Sequence, residues 1–334
     1  MRVLVTGATG FLGSNLVRRL LSDGHQVRIL ARSEIKARPL AKQGAEIAFG
    51  DIGDRDALQS AVRDVEGVYH LAGQLFIPGV PKAEYYRTHV QGTRALVECC
   101  RESSDVRRLV HCSTTGVLGV TGPNPAREDA PVSPRNAYER AKWQAETVVR
   151  MAIEEGFPAV IARPGLVYGP GDLHLLGFFR AIQRGFFRPI GRQSVWLHPI
   201  FIDDLTEALV RGANHPRAVG ECFHLAGQFP VTVAALASAI ADALGTVIPS
   251  GNVPFSLAWA AATVGDALPA RLRSLAPLTR TRLDFLTHSR IYDVSKARAL
   301  IGFEAGTALT EGMDRTVAWY RREGYLSTGR ASVS

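Results

Sequence analysis

The chain has 334 residues, 46% hydrophobic, with 39 Lys and Arg against 31 Asp and Glu, a net charge of +8. That length suits two domains or one elaborated α/β domain, and the composition is ordinary for a soluble globular protein. The basic residues are scattered among acidic ones rather than clustered, which argues against a nucleic-acid-binding protein. Cys99, Cys100, Cys112 and Cys222 have no CxxC or metal-ligand spacing, so reduced thiols in a cytoplasmic protein are expected, and no metal site.

The first expected strand, 2–5, runs straight into Thr6-Gly7-Ala8-Thr9-Gly10-Phe11-Leu12-Gly13, and helical spacing follows over 14–21. Gly7 suits the tight turn, Gly10 a close approach of backbone to a pyrophosphate, and Gly13 close packing of helix on strand. The pyrophosphate would sit on free N–H groups at the helix N-terminus, with Thr9, Phe11 and Leu12 beside it. With a strand starting at the first residue, no signal peptide is expected.

Further strands are expected at 27–30, 46–49, 67–70, 108–112 and 159–162, with helical segments between them. Such alternation predicts an α/β fold, a doubly wound parallel sheet with helices on both faces. Ligands of such sheets bind at the carboxyl ends of the strands, so the residues just after each strand are informative.

After the second strand stands Ala31-Arg32-Ser33. Alanine cannot hold a ribose 2′-hydroxyl as an acidic residue does, whereas Arg32 suits a 2′-phosphate, which points to NADP over NAD; a solvated loop arginine is the alternative. Asp51 and Ile52 follow the third strand and are candidates for the adenine. Leu71, Ala72 and Gly73 follow the fourth and would let backbone lie close to the cofactor. Ser113, Thr114 and Thr115 follow the fifth; such hydroxyls either serve chemistry or cap the next helix.

A helix is expected from about 137 to 155. Tyr138 and Lys142 are four apart on it and share a face. A phenol is a poor acid–base group at neutral pH, and a lysine cation beside it is expected to favour the phenolate. The same helix carries two apolar stripes, Ala141, Ala145, Val148 and Ala152 on one side and Trp143, Thr147 and Met151 on another. One stripe suffices for the sheet, so the second predicts a partner, most simply a second subunit in a homodimer, with cover by the chain's own later segments as the alternative.

With these residues in place, the chain resembles the extended short-chain dehydrogenase/reductases, the NAD(P)-dependent epimerase/dehydratase group. The resemblance rests on the glycine turn, Gly50-Asp51, the 88–93 segment, Ser113-Thr114, Tyr138-x-x-x-Lys142 and Arg163-Pro164-Gly165. It extends through Val167-Tyr168-Gly169-Pro170-Gly171, Phe201-Ile202-Asp203-Asp204-Leu205 and Asp293-Val294-Ser295-Lys296-Ala297. It implies that Tyr138 is the general acid/base, that Lys142 lowers its pKa and holds the nicotinamide ribose, and that Thr114 bonds the substrate oxygen. Pro164, Gly165 and Val167 would flank the nicotinamide. The implied activity is oxidation or reduction at a hydroxyl or carbonyl.

Two departures stand out. His89 replaces the asparagine that many members carry, which puts a relay role there in doubt. Leu197 stands where nucleotide-sugar members often place an arginine for the diphosphate, unless Arg180, Arg184, Arg188, Arg192 or Arg290 supplies the charge. Leu75, Phe76, Thr115, Tyr168 and Trp196 are candidate pocket residues, with Phe178, Phe179, Phe186 and Phe187 nearby in sequence. Together they favour a small, largely apolar substrate and the branch that resembles 3β-hydroxysteroid dehydrogenases and dihydroflavonol reductases. A nucleotide-sugar epimerase or dehydratase, and a non-catalytic NAD(P)-binding regulator, are the rival readings.

The expected domains are 1–167 with 196–227 for the dinucleotide, and 168–195 with 228–326 for a smaller, mainly helical substrate domain. Residues 327–334 read as a flexible tail. No stretch reads as an integral membrane segment, because Pro249, Gly251 and Pro254 interrupt the most apolar one. The apolar helix expected from 255 to 264 is read as packed, with contact to a membrane surface as the alternative.

Overall fold

Among the described residues eleven short strands organise the chain: β1 Arg2–Thr6, β2 Gln26–Ala31, β3 Glu46–Phe49, β4 Gly67–His70, β5 Arg108–Cys112, β6 Ala159–Pro164, β7 Leu166–Tyr168, β8 Trp196–Leu197, β9 Pro199–Phe201, β10 Cys222–Leu225 and β11 Val231–Thr232. The structure is a computed structural model that describes residues 1–77, 79–268 and 278–327. The expected tail therefore lies, from residue 328 on, outside the described residues.

Seven strands form one parallel sheet in the order β10-β6-β5-β4-β1-β2-β3. Val5 pairs with Ile29 of β2 on one side and Tyr69 of β4 on the other. Sequence order reverses about β1, so the crevice between β1 and β4 at their carboxyl ends is the switch point where such sheets bind ligands. Strands buried on both faces need apolar side chains in both directions, which is why they read as near-continuous hydrophobic runs. Val3 and Val5 face one core, packed under Phe11–Ser22, Ile202–Asn214 and Ser295–Ile301. Leu4 faces the other, under Arg55–Val62, Gly92–Glu102 and Ala137–Glu154.

A third core joins Tyr168, Phe179, Phe201, Ile240 and Tyr320, drawing on residues 168–202, 233–244 and 309–326. Ala297, Ile301, Phe303 and Ala305, grouped by sequence with the smaller domain, pack into the first core instead.

The two stripes of the Ala137–Glu154 helix part company. Ala141, Ala145 and Ala152 are buried as expected. Trp143 is covered by the chain itself, packing with Val117, Leu118 and Tyr292 and lying under the Arg150 and Arg163 guanidinium groups. Met151 is exposed.

Candidate active site

The glycine turn is held where the sequence predicts it. Gly7 has φ +70°, and a Cβ on it would come within 2.6 Å of the Leu71 and Ala72 backbone. A Cβ on Gly13 would stand 2.2 Å from the Gly7 carbonyl oxygen. The helix starts at Phe11, earlier than expected, with Gly10 as an extended N-cap. No side chain caps it and its first turn holds no acid, so backbone N–H groups and the positive dipole end are free for an anion. The turn opens on a cleft of about 760 Å³ at the switch point. These features fit the pyrophosphate of a dinucleotide.

Gly7, Thr9, Gly10, Phe11, Leu12, Arg32, Asp51, Ile52, Leu71, Ala72 and Gly73 all line this cleft. At its far end Arg32 pairs with Asp51, guanidinium to carboxylate 3.2 Å. Ser33 caps the next helix, and Lys36, one turn along, also lines the cleft. That makes two cations against one carboxylate beside the expected ribose.

At the other end stand Ser113, Thr114, Thr115, Tyr138, Lys142, Pro164, Gly165 and Val167. Thr114 stands two residues beyond β5 and caps the turn Thr115–Leu118; its hydroxyl oxygen accepts from the Gly116 N–H at 3.1 Å, which leaves its own O–H to donate. Asn136 caps the Ala137–Glu154 helix, while the Glu139 carboxylate accepts from the Arg135 N–H at 2.6 Å. The pair fixes the first helical turn, which carries Tyr138.

The electrostatics correct one expectation. Burial raises the Tyr138 phenol above its ordinary value, Cys112 and Glu139 push the same way, and only Thr114 opposes them. Lys142 is buried, its amine donates to the Cys112 carbonyl, and burial lowers its own pKa. With its ammonium turned to that carbonyl, Lys142 is not the group that moves the phenol in this arrangement.

Beneath them lies a buried ionic network. Arg163 donates to Glu146 through Nη2 at 2.7 Å and Nε at 3.0 Å, and the Ser113 hydroxyl donates to the same carboxylate at 2.7 Å. Ser113 thus lines the cleft with its hydroxyl already committed. His89, in the asparagine position, is buried, with Nε2 3.1 Å from the Gln74 carbonyl and its ring edge-on to Tyr138 at 5.5 Å. Burial and nearby Lys142 push it down to about 3, so it is neutral.

The substrate side departs furthest from expectation. Leu75 and Thr115 line the cleft; Phe76, Tyr168 and Trp196 do not. Phe76 stacks on Tyr85, Tyr168 is buried against Phe201 in the third core, and Trp196 lies on the outside of the β8–β11 pair. The phenylalanine pairs also lie elsewhere: Phe179 is buried against Tyr320, Phe178 packs on Phe187, and Phe186 is exposed. Their places are taken by Leu197, Phe285, Tyr292 and Arg290. The Tyr292 hydroxyl bonds Thr115, whose own hydroxyl donates to the Pro164 carbonyl at 2.9 Å. Arg290 donates to the Asp284 carboxylate at 2.6 Å and to the His288 carbonyl at 3.1 Å, so its charge is balanced within the wall. Arg184, Arg188 and Arg192 are absent from the cleft lining.

Lys36 was detectable from its place one turn after Arg32, and Glu139 as half of a capping box. Phe285 and Tyr292 arrive from about 150 residues beyond Tyr138 and carry no local signal.

A glycine-turn cleft at the switch point of a parallel sheet, lined at its other end by a Thr, a Tyr and a Lys, fits an enzyme of the extended short-chain dehydrogenase/reductase class. The chain belongs to the NAD dependent epimerase/dehydratase family, whose model matches residues 3–226. It is 29% identical over 320 residues to a 4-hydroxy-2-methyl-3-oxo-4-farnesyl-3,4-dihydroquinoline-1-oxide ketoreductase of Stigmatella aurantiaca, covering 94% of this chain and 95% of the relative. It is 31% identical over 341 residues to a UDP-glucose 4-epimerase of Mycolicibacterium smegmatis, covering 97% and 99%. Its fold matches that of a UDP-glucuronic acid 4-epimerase from Bacillus cereus, solved in complex with NAD, with TM-score 0.76, 22% identity and coverage of 98% and 100%. Among the described residues no helix is long and apolar enough to cross a membrane, and no acidic, His or Cys cluster suits a metal.

Proposed function

We propose that the protein is a ketoreductase or alcohol dehydrogenase that prefers NADP and acts on a small, largely apolar substrate. When bound, the nicotinamide supplies or accepts the hydride at the substrate carbon. Thr114, whose hydroxyl bonds the Tyr138 phenol in this structure, donates its O–H to the substrate oxygen when substrate is bound. Tyr138 exchanges the proton with that oxygen, and Lys142 holds the ribose. Residues 1–167 and 196–227 hold the dinucleotide, and 168–195 and 228–326 the substrate.

The observation that carries the substrate class is the balanced wall. Leu197 and Phe285 stand in the cleft and Arg290 is held by Asp284, which removes one clamp for a diphosphate; Arg87 also lines the cleft and forms no ion pair among the described residues. The ketoreductase relative agrees with this reading. The rival reading, a nucleotide-sugar epimerase, draws on the 31% identity to a UDP-glucose 4-epimerase. A thermal-shift screen separates them: ketones and alcohols with an aliphatic or aromatic body should stabilise the cofactor-loaded protein and UDP-sugars should not. Tyr138→Phe should abolish turnover and leave cofactor affinity nearly intact, and undiminished turnover would overturn the mechanism.

A further inference from the structure

The helix Phe255–Ala267 is built inside out. Its buried residues are the small ones, Ala258, Ala262 and Gly265. Its large residues face water: Leu257 is 63% exposed and Val264 66% on one flank, and Phe255 and Trp259 are exposed on the other flank, where Arg280 lies over the Trp259 ring. No residue from 255 to 265 carries a charge, and Asp266 is turned to Arg280. A face of this kind costs solubility and is uncommon on a soluble monomer unless something covers it.

The neighbouring segment supplies charge. Ile190 bridges Val253, the Val253 N–H donates to the Pro189 carbonyl, and Pro249 lies against Gly185. Residues 184–192 therefore run beside the base of the helix. They carry Phe186, 76% exposed, and exposed Arg184, Arg188 and Arg192, none of which forms an ion pair among the described residues. Aliphatic and aromatic side chains on an uncharged helix, flanked by unpaired arginines, are what an anionic lipid surface takes up. The apolar residues enter the acyl boundary, and the long arginine stems let their guanidinium groups reach the phosphates.

We propose that this face docks the protein on anionic membrane surfaces, as a peripheral contact and not a span. The docking stands apart from the reductase reading. Its position is consistent with it, because the helix packs against Arg280–Thr287, which gives Phe285 to the cleft.

The test is co-sedimentation of the full chain with unilamellar vesicles of phosphatidylcholine, with and without phosphatidylglycerol. Binding should need phosphatidylglycerol and weaken with salt. Leu257→Asp with Val264→Asp should abolish it, and Arg184→Gln with Arg188→Gln should weaken it by about tenfold or more. All four positions are exposed, so the variants should keep the wild-type circular dichroism spectrum. No binding at millimolar lipid, or binding that either double variant leaves unchanged, would overturn the proposal. So would a dimer in light scattering that Leu257→Asp dissociates, because the face then belongs to a second copy.

Discussion

Glu146 and Arg163 form an ion pair with almost no exposure to solvent, Nη2 to carboxylate 2.7 Å, directly under the strand end that carries Thr114. Glu146 lies one turn beyond Lys142 on the same helix and holds the Ser113 hydroxyl, so one carboxylate ties helix to strand. Burial alone would raise its pKa, but the Arg163 hydrogen bond and charge outweigh that and hold it below the ordinary carboxylate range. A depressed carboxylate pKa adds stability that is present above the unfolded pKa and lost as pH falls through the folded one. Glu146→Gln leaves Arg163 buried with half a partner and should cost about 3–5 kcal/mol at neutral pH. Urea denaturation should show that difference shrinking as pH falls below about 4, where the carboxylate of the unfolded chain takes a proton before the folded one does.

The buried histidines set a second pH dependence. His70 sits between the Thr6 and Thr93 hydroxyls, 2.8 Å from each, and burial with nearby Lys142 lowers it from 6.5 to about 3. His89 and His224 are lowered to about 3 as well, chiefly by burial. Unfolding lets each take a proton at its ordinary pKa, so stability should fall as pH drops from about 6.5 toward 3. Each such histidine adds a slope of about 1.4 kcal/mol per pH unit within that window. His70→Gln should flatten the pH dependence of the unfolding free energy by that amount between pH 6 and 4. An unchanged slope would mean that His70 is protonated in the fold.

The proposed NADP preference rests on Arg32 and Lys36. Both line the cleft after β2, against the single carboxylate of Asp51. Surface pairs of this kind are weak, so Arg32 can leave Asp51 for a 2′-phosphate at little cost. Arg32→Ala with Lys36→Ala should weaken NADPH binding by about ten- to a hundredfold and leave NADH binding within about threefold. Calorimetric titration of both cofactors measures this, and equal losses for the two would refute a 2′-phosphate contact.

What was legible in the sequence was local. The glycine turn, the alternation of strands with helices and the Tyr138–Lys142 spacing each lie within one element or one connection, where periodicity and glycine sterics act over a few residues. The partners those elements meet were not legible. Nothing near Glu146 names Arg163, and nothing near Tyr138 names Tyr292, because the sheet brings them together from separate connections. Aromatic residues misled for a related reason. Tyr168, Trp196 and Phe76 are as apolar as a pocket lining should be, but only the facing of each element decides between core, surface and cleft. The Phe255–Ala267 helix inverts the usual rule, since its alanines pack closely on Arg280–Thr287 and leave its large residues outside.

The substrate class depends on Asp284. Its carboxylate takes Arg290 at 2.6 Å and Arg135 at 3.1 Å, and His288 lies 3.2 Å away. Arg290 is the cation of this group that lines the cleft, and its guanidinium is also held by the His288 carbonyl. Removing the carboxylate leaves a largely buried guanidinium in need of an anion. Asp284→Asn should therefore give the cofactor-loaded protein a higher affinity than the wild type for phosphate-bearing ligands such as UDP. It should also raise KM for an apolar ketone, because an uncompensated charge disfavours an apolar body in the same space. Thermal shift with UDP and steady-state kinetics with the ketone read the two effects separately. Wild-type protein that already binds UDP would show that Arg290 serves as a diphosphate clamp despite Asp284, and would favour the epimerase reading.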